Sequence, residues 1–565
     1  MGQRIVIIGG TTCGTKAAAR IRRRDPQAEI TIIEQSENVS VGRCGIPYYV
    51  GGKVNKIEEL FSSPAGIIRD PEFFNKVKNI RVLTCTRAEG IDRAARQVHF
   101  HDLRTGSRYA LPYDKLVLAT GARPAPLKVP GAGLKNVHTM WSLEDARTIR
   151  EKAFSGKVKN VVVIGAGLIG LEAAEVLLEA DIPGAKLTVT LIEAMQHIAP
   201  IFLDDEMASL AAKHLRDKGL VIRTGEMVQR LEGDDAGSVR QVVTTRGTYP
   251  AELVISAVGL VPNVDLARDA GLSIGTTGAI TVNQYLQTSD PDIYAGGDCV
   301  ENVNLVNGRP IYTPQGSVAN RHGRVIGNNI TGMREAFPGV LGTVIFKIFD
   351  LTIGRTGLTE SQARETGYPV ETVLVSGADR AHFYPGTGSV VVKLVVDAPS
   401  RKILGAQLLG EGEVNKRLDV LVGAITMGAT VDHLANFDLA YAPPYNTAMD
   451  VLHHAANTMR NKLTGEAKTL TPAELKKRIA EGDNNLLVLD VRTPGEAEEH
   501  PAPYDGVTHI PLGKLRAEAG TLPSEKMVVP FCQISIRAWE AQRILEEQGF
   551  RNVAFLEGGL AAWPY

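Results

Sequence analysis

The stretch NVVVIGAGLIGLEAAEVLLEADIPGAKLTVTLIEA, Asn160 to Ala194, decides how the chain is read. Val161–Ile164 is a short, wholly apolar run, as in a strand buried on both faces. Gly165, Gly167 and Gly170 follow at GxGxxG spacing, then a helical pattern, then a second apolar strand that ends at Glu193. Strand, glycine turn, helix, strand and acid in this order form a unit that seats a pyrophosphate on backbone N–H groups at a helix N-terminus. An acid at Glu193 suits a ribose 2′-hydroxyl and repels a 2′-phosphate, which favours NADH over NADPH.

The N-terminal stretch RIVIIGGTTCGTKAAARIRRRDPQAEITIIEQ, Arg4 to Gln35, has the same design. Gly9, Gly10 and Gly14 make its turn, with Thr11 at the usual second glycine, and Glu34 ends its second strand. Two such units in one chain imply two dinucleotides, one a bound flavin and the other a diffusible nicotinamide. KLVLATGARP, with Thr120 and Gly121, and SAVGLVPN, with Gly259, read as strands running into glycine turns. TSDPDIYAGGDCVE places Gly297 and Asp298 where an acid can hold a ribityl hydroxyl.

The 565 residues suggest about three to five domains at roughly 100–200 residues each. A formal net charge of −1 offers no basic excess for nucleic acid. No apolar run is long enough to span a bilayer and no signal peptide is evident, so a cytoplasmic protein is expected. Five scattered cysteines without a CxxC (Cys13, Cys44, Cys85, Cys299 and Cys532) argue for reduced thiols rather than a disulfide framework. No metal site is expected: His453 and His454 are neighbours on a helix and point apart.

Together, the two glycine turns, ATGARP, SAVGLVPN and YAGGDC resemble the two-dinucleotide flavoprotein disulfide reductases over residues 1 to about 455. The resemblance implies an α/β fold with two Rossmann-like domains: residues 1–115 plus 250–332 for FAD, and 116–249 for NAD(P)H. It further implies an α+β domain, residues 333–455, that forms a homodimer.

SVGRCGIPYYVGG, Ser40 to Gly52, lacks the CxxxxC pair of the glutathione-reductase-like members. It resembles the single-cysteine branch: coenzyme A disulfide reductase, NADH-dependent persulfide reductase, NADH oxidase and NADH peroxidase. In that branch the cysteine, here Cys44, faces the flavin and takes its partner sulfur from the substrate. A helix start near Pro47 and the flavin edge are expected to favour its thiolate. Thr12 stands where oxidases and peroxidases carry a histidine, which lowers those readings. The coenzyme A branch suggests substrate contacts at Lys16, Arg20, Arg23, Ser40, Arg43 and Lys78. Arg43 replaces a family asparagine, Met449 replaces a lysine, and RIRRR reads equally as a solvated helix face. AHFYPG and AYAPPYNTAMD match segments whose tyrosines, here Tyr384 and Tyr441, reach the active cysteine across the dimer; interface packing is the alternative.

After a polar linker at residues 456–470 the pattern changes to short strands alternating with helices over 471–565. LDVRTPGE, the strand–Cys532–loop–Arg537–helix segment and EGGLAAW resemble a rhodanese domain, in which a cysteine carries a persulfide and an arginine caps its loop. Ser535 replaces the usual loop glycine, and only His509–Ile510–Pro511 survives of a second motif. The expected activity is an FAD-dependent NADH reductase of persulfides, polysulfides or coenzyme A disulfide, with electrons reaching sulfur through Cys44 and sulfane sulfur held on Cys532. The alternatives are an NADH oxidase or peroxidase, or a redox-sensing flavoprotein.

Overall fold

The computed structural model describes residues 2–182, 186–504 and 506–565. The chain forms two compact units: residues 2–194 with 226–340, and residues 195–225 with 341–565.

In the first unit the strand Arg4–Ile8, apolar from Ile5 on, is the centre of a five-stranded sheet. It pairs in parallel with Glu29–Ile33 on one side and Lys115–Leu118 on the other, and Ile293–Ala295 and Arg81–Leu83 complete the edges. Both faces are covered, Ile5 and Ile7 packing with Ala17, Ile21 and Ile326 of two helices and Val6 and Ile8 with Val98, Phe100 and Tyr113, so every side chain of Ile5–Ile8 is buried. The sheet ends in a turn at Gly9, whose φ of +110° and close approach to the Ala119 carbonyl leave no room for a Cβ. The helix Thr12–Arg24 then packs on Gly316–Ile330, where Gly323 and Gly327 let the two helices touch. The second sheet repeats the plan, with Asn160–Ile164 between Thr188–Ile192 and Leu253–Ser256, all parallel. This is the fold expected of two glycine-turn units.

The second unit is built on an antiparallel sheet in the order Val344–Ile348, Leu351–Gly357, Ile403–Gly410, Ser389–Asp397, Val370–Ala378. Arg417 is 1% exposed and organises the loops at one end. It lies 2.8 Å from Asp450 and donates to the Asp379 carbonyl and to Asn446 Oδ1. Those contacts fix the segments that carry Tyr384 and Tyr441.

The segment read as a linker begins as helix: Val451–Leu463 continues to within a few residues of the strand Thr469–Leu470. Alanines on its buried face and basic residues in its last turn suit that extension. The C-terminal domain then sets Leu486–Asp490 between Thr508–His509 and Met527–Phe531 in parallel. It is locked to the helix by Glu557, which is 1% exposed. Glu557 accepts from Lys462 Nζ at 2.7 Å, Thr469 Oγ1 at 2.6 Å and the Leu374 backbone N–H at 3.1 Å. Lys462 also donates to the Thr372 carbonyl and lies 3.1 Å from Glu371. A buried carboxylate that loses its cation is costly, so Lys462→Met is expected to lower stability by about 3 kcal/mol. The denaturation midpoint of the variant checks this, with Lys462→Met/Glu557→Gln recovering part of the loss; an unchanged midpoint in the single variant would remove the lock.

Candidate functional site

The two sheets of the first unit end in turns that hold acids in place. Glu34 is 8% exposed and accepts from the Gly10 backbone N–H at 2.7 Å and from Ser36 N and Oγ. Glu193 repeats this, accepting from Ala166 N at 2.7 Å. A cavity of about 630 Å³ opens from Gly9, Glu34 and Thr120–Gly121 toward Arg43 and Trp141. Thr120 and Asn263 tie its floor together, Oγ1 to carbonyl and Nδ2 to carbonyl. Gly259 supports the neighbouring turn through its carbonyl, which accepts from Ala125 N. Gly297 N–H donates to His322 Nδ1. Asp298 Oδ1 is buried without a partner among the described residues, and burial pushes its carboxyl up to about 6. A buried acceptor left unpaired needs a donor. Such an acid beside a glycine cradle fits the hydroxyl-bearing chain of FAD. Gly9, Gly10, Gly14, Glu34 and Asp298 would hold FAD; Gly165, Gly167, Gly170 and Glu193 would hold the nicotinamide dinucleotide.

Cys44 lies in the single turn Arg43–Gly45 and is exposed. The helix that follows, Ile46–Val50, is only five residues long. The thiol pKa is raised, first by desolvation in the cleft and then by the Glu172 and Asp298 carboxylates. The groups of the polypeptide around Cys44 thus oppose the thiolate, before the flavin edge adds its share. Glu172 is the residue that the sequence reading passed over. It sits on Leu168–Leu178, the helix of the second glycine turn, and burial followed by Glu175 pushes its carboxyl up to about 7. GxGxxG followed two residues later by an acid was the available signal. Above pH 7 the Glu172 charge repels a Cys44 thiolate. Glu172→Gln is therefore expected to move the midpoint of Cys44 alkylation to lower pH. Alkylation rate against pH in both proteins checks this, and equal midpoints would remove the coupling.

The residues expected to hold substrate divide. Lys16, Arg23, Ser40 and Lys78 line one pocket of about 450 Å³, joined by Arg69 and Phe73. Arg20 faces elsewhere, donating to Asn328 Oδ1 at 2.5 Å. Arg43 stacks 4.8 Å over Trp141 and lines the larger cavity instead. Helical spacing does not explain the split, since Lys16, Arg20 and Arg23 share one face at i, i+4 and i+7; it is the partner helix, with Arg20 against Gly327 and bonded to Asn328, that draws Arg20 away.

In the second unit Tyr384 and Tyr441 are exposed, and Tyr384 N–H donates to the Ala381 carbonyl. Cys532 is fully buried at the end of Met527–Phe531. Ser535 takes φ +80°, the left-handed conformation that glycine would adopt without strain, and its Oγ donates to the Leu556 carbonyl. The loop therefore keeps its glycine-like turn despite the serine. Arg537 reaches Cys532 and forms a fork with Glu496 at 2.6 and 2.7 Å, which holds the Glu496 carboxyl well below the usual range. Glu496 also closes the capping box at Thr493, in LDVRTPGE. The backbone N–H groups of Leu560 and Ala561, in EGGLAAW, donate to the Cys532 and Gln533 carbonyls. The three motifs thus converge on one cysteine.

Residues 3–317 match the family described as pyridine nucleotide-disulphide oxidoreductase, residues 343–453 its dimerisation domain, and residues 471–564 the rhodanese-like domain. The solved structure of an NAD-dependent persulfide reductase from A. fulgidus is 46% identical, covers 99% of this chain and all of its own, and superposes with a TM-score of 0.94. An NAD(P)H coenzyme A polysulfide/persulfide reductase from Pyrococcus horikoshii is 36% identical over 81% of this chain and 99% of its own. A protein named NADH oxidase from Methanocaldococcus jannaschii is 33% identical over 82% of this chain and its whole length. Among the described residues no helix is long and apolar enough to cross a membrane. With the dinucleotide cradles, the single exposed cysteine and the Cys532 loop in one chain, this protein belongs to the pyridine nucleotide-disulphide oxidoreductase family and carries a C-terminal rhodanese-like domain.

Proposed function

We propose that the chain is an FAD-dependent, NADH-preferring reductase of persulfides and coenzyme A disulfide that acts as a homodimer. The observation that carries this reading is the position of residues 40–44 between two cavities. Arg43 faces the dinucleotide cavity, while Ser40–Gly42 open the basic pocket of Lys16, Arg23, Arg69 and Lys78. Cys44 follows directly and has no protein partner sulfur. A substrate with an anionic tail and a reducible S–S bond suits that arrangement. Lys16, Arg23 and Lys78 hold its phosphates, and Cys44 attacks its sulfur to form a mixed disulfide. FAD held at the glycine cradle would supply the two electrons, originating on the nicotinamide, that reduce the mixed disulfide and return Cys44 to the thiolate. Tyr384 and Tyr441 are proposed as proton donors to the departing thiolate. Cys532, under the Arg537–Glu496 fork, holds sulfane sulfur.

The relative named NADH oxidase keeps oxygen in view as an acceptor. NADH oxidation by purified holoenzyme with coenzyme A persulfide, coenzyme A disulfide, polysulfide, peroxide and oxygen decides between the readings. Sulfur acceptors are expected to be faster by about tenfold or more in kcat/KM; equal or faster turnover with oxygen or peroxide would overturn the proposal. Glu193→Ala is expected to narrow the NADH-over-NADPH preference by about tenfold, since it removes a hydroxyl acceptor and a repulsive charge. The ratio of kcat/KM for the two nucleotides checks this.

A further inference from the structure

Three cationic side chains line the cavity of about 630 Å³ at the first glycine turn: Arg43, Arg87 and Arg123. Arg87 lies 3.2 Å from Glu89, and Arg123 lies 3.4 Å from Asp265 and donates to Asn263 Oδ1 at 2.7 Å. Arg43 differs. Its guanidinium stacks 4.8 Å over the Trp141 ring, and among the described residues its side chain enters no ion pair and no hydrogen bond. Desolvation lowers the Arg43 pKa, and the Glu34 and Asp298 carboxylates offset this only in part. A desolvated cation without an anion is costly. The stack engages the flat face of the guanidinium and leaves the N–H donors along its edge free for an oxyanion.

We propose that Arg43, held on Trp141, is the cation that pairs with the diphosphate of FAD, and that Trp141 is a positioning residue acting through it. The assignment rests on the reading of the first glycine turn as the FAD cradle, and it takes Arg43 out of the substrate site where the sequence resemblance put it. Gly9 and Thr11 of that turn share the cavity lining with Arg43. In FAD the diphosphate joins the ribose of adenosine to the ribityl chain. Glu34 is the acid suited to the ribose and Asp298 the acid suited to the ribityl chain, and both act on Arg43. A cation within reach of both stands at the level of the diphosphate. Other phosphates are served elsewhere. Lys16, Arg23, Arg69 and Lys78 line the substrate pocket, and Arg43 does not. No residue of the second glycine turn, Gly165 to Gly170, lines this cavity, so the nicotinamide dinucleotide has its own cradle. Guanidinium–phosphate pairs are charge-assisted and can be bidentate, and the ring of Trp141 sets the plane of the fork. A lysine would keep the charge and lose both the fork and the stack.

The test follows release of FAD from diluted full-length holoenzyme by the rise of flavin fluorescence. Arg43→Met is expected to release FAD about tenfold faster than wild type, and Arg43→Lys about threefold faster. Trp141→Leu is expected to release it about threefold faster. The double variant Arg43→Met/Trp141→Leu is expected to be no faster than Arg43→Met alone, because the tryptophan acts through the guanidinium. Lys78→Met, which removes a cation from the substrate pocket, is expected to match wild type. Release at the wild-type rate in Arg43→Met, equal acceleration in Lys78→Met, or full additivity in the double variant would overturn the proposal. So would a raised KM for coenzyme A disulfide in Arg43→Met without faster release, which returns Arg43 to the substrate. If Arg43→Met does not fold, Arg43→Lys and Trp141→Leu decide by the same measure: faster release in both supports the pair, and wild-type release in either overturns it. A wild type that purifies colourless removes the cofactor reading and this assignment with it, whereas a yellow wild type with unchanged release in the variants removes the assignment alone.

Discussion

Cys44→Ser holoenzyme is expected to stay yellow, to keep its FAD and to be reduced by NADH, while reduction of coenzyme A persulfide and disulfide falls by about a thousandfold or more. Electron transfer from nicotinamide to the bound flavin requires no thiol. Opening an S–S bond requires a nucleophile, and a serine hydroxyl is protonated throughout the working pH range. The surroundings sharpen the expectation. Desolvation and the carboxylates of Glu172 and Asp298 raise the Cys44 pKa, so wild-type reactivity climbs with pH until the thiol is ionised. The serine variant has no such rise to show. Anaerobic stopped-flow of flavin reduction, beside steady-state turnover with each acceptor, measures both halves. Disulfide-reductase turnover retained in the variant would remove Cys44 from the mechanism.

Cys532→Ser is expected to abolish sulfur transfer from thiosulfate to cyanide, a loss of about a hundredfold or more, and to leave coenzyme A disulfide reduction at the wild-type rate. The persulfide is a covalent state of one sulfur atom, and no other cysteine lies in the second unit. The consequence for persulfide reduction is graded. A tethered donor gains an effective concentration of up to about millimolar when geometry permits the encounter, so slowed NADH oxidation with a persulfide donor indicates delivery between the two thiols. Identical rates in wild type and Cys532→Ser would establish two independent activities. The anchoring of Glu557 by Lys462, Thr469 and Leu374 N–H argues against free movement of the C-terminal domain on the helix Val451–Leu463.

Much of this architecture is local and was legible as a string of residues. Glycine turns, the acids that end second strands and the strand–Cys532–Arg537–helix order each depend on a few consecutive residues whose backbone geometry they dictate. The apolar runs Ile5–Ile8 and Val161–Ile164 could be read as buried parallel strands because both faces of such strands must be apolar. Ser535 shows where a local reading stopped short. A serine at a glycine position left the loop open to doubt, and it is the surrounding contacts, from the Leu556 carbonyl to the Leu560 and Ala561 amides, that hold φ at +80°.

The sequence by itself determined the two dinucleotide units, the isolated thiol Cys44 and the second thiol Cys532, because each is written in contiguous residues with fixed spacing. Only the tertiary structure decided which basic side chains share a pocket, turning Arg20 onto Asn328 and Arg43 onto Trp141 while gathering Lys16, Arg23 and Lys78. It alone brought the Glu172 carboxylate to bear on Cys44 from far along the chain and made the environment of that thiol acid-suppressing. It also turned the expected linker into helix capped by a buried ion pair. The physical reason is the same in each case: burial and electrostatic coupling act between groups distant in sequence, and their strength depends on separation and solvent exclusion that no spacing of residues specifies.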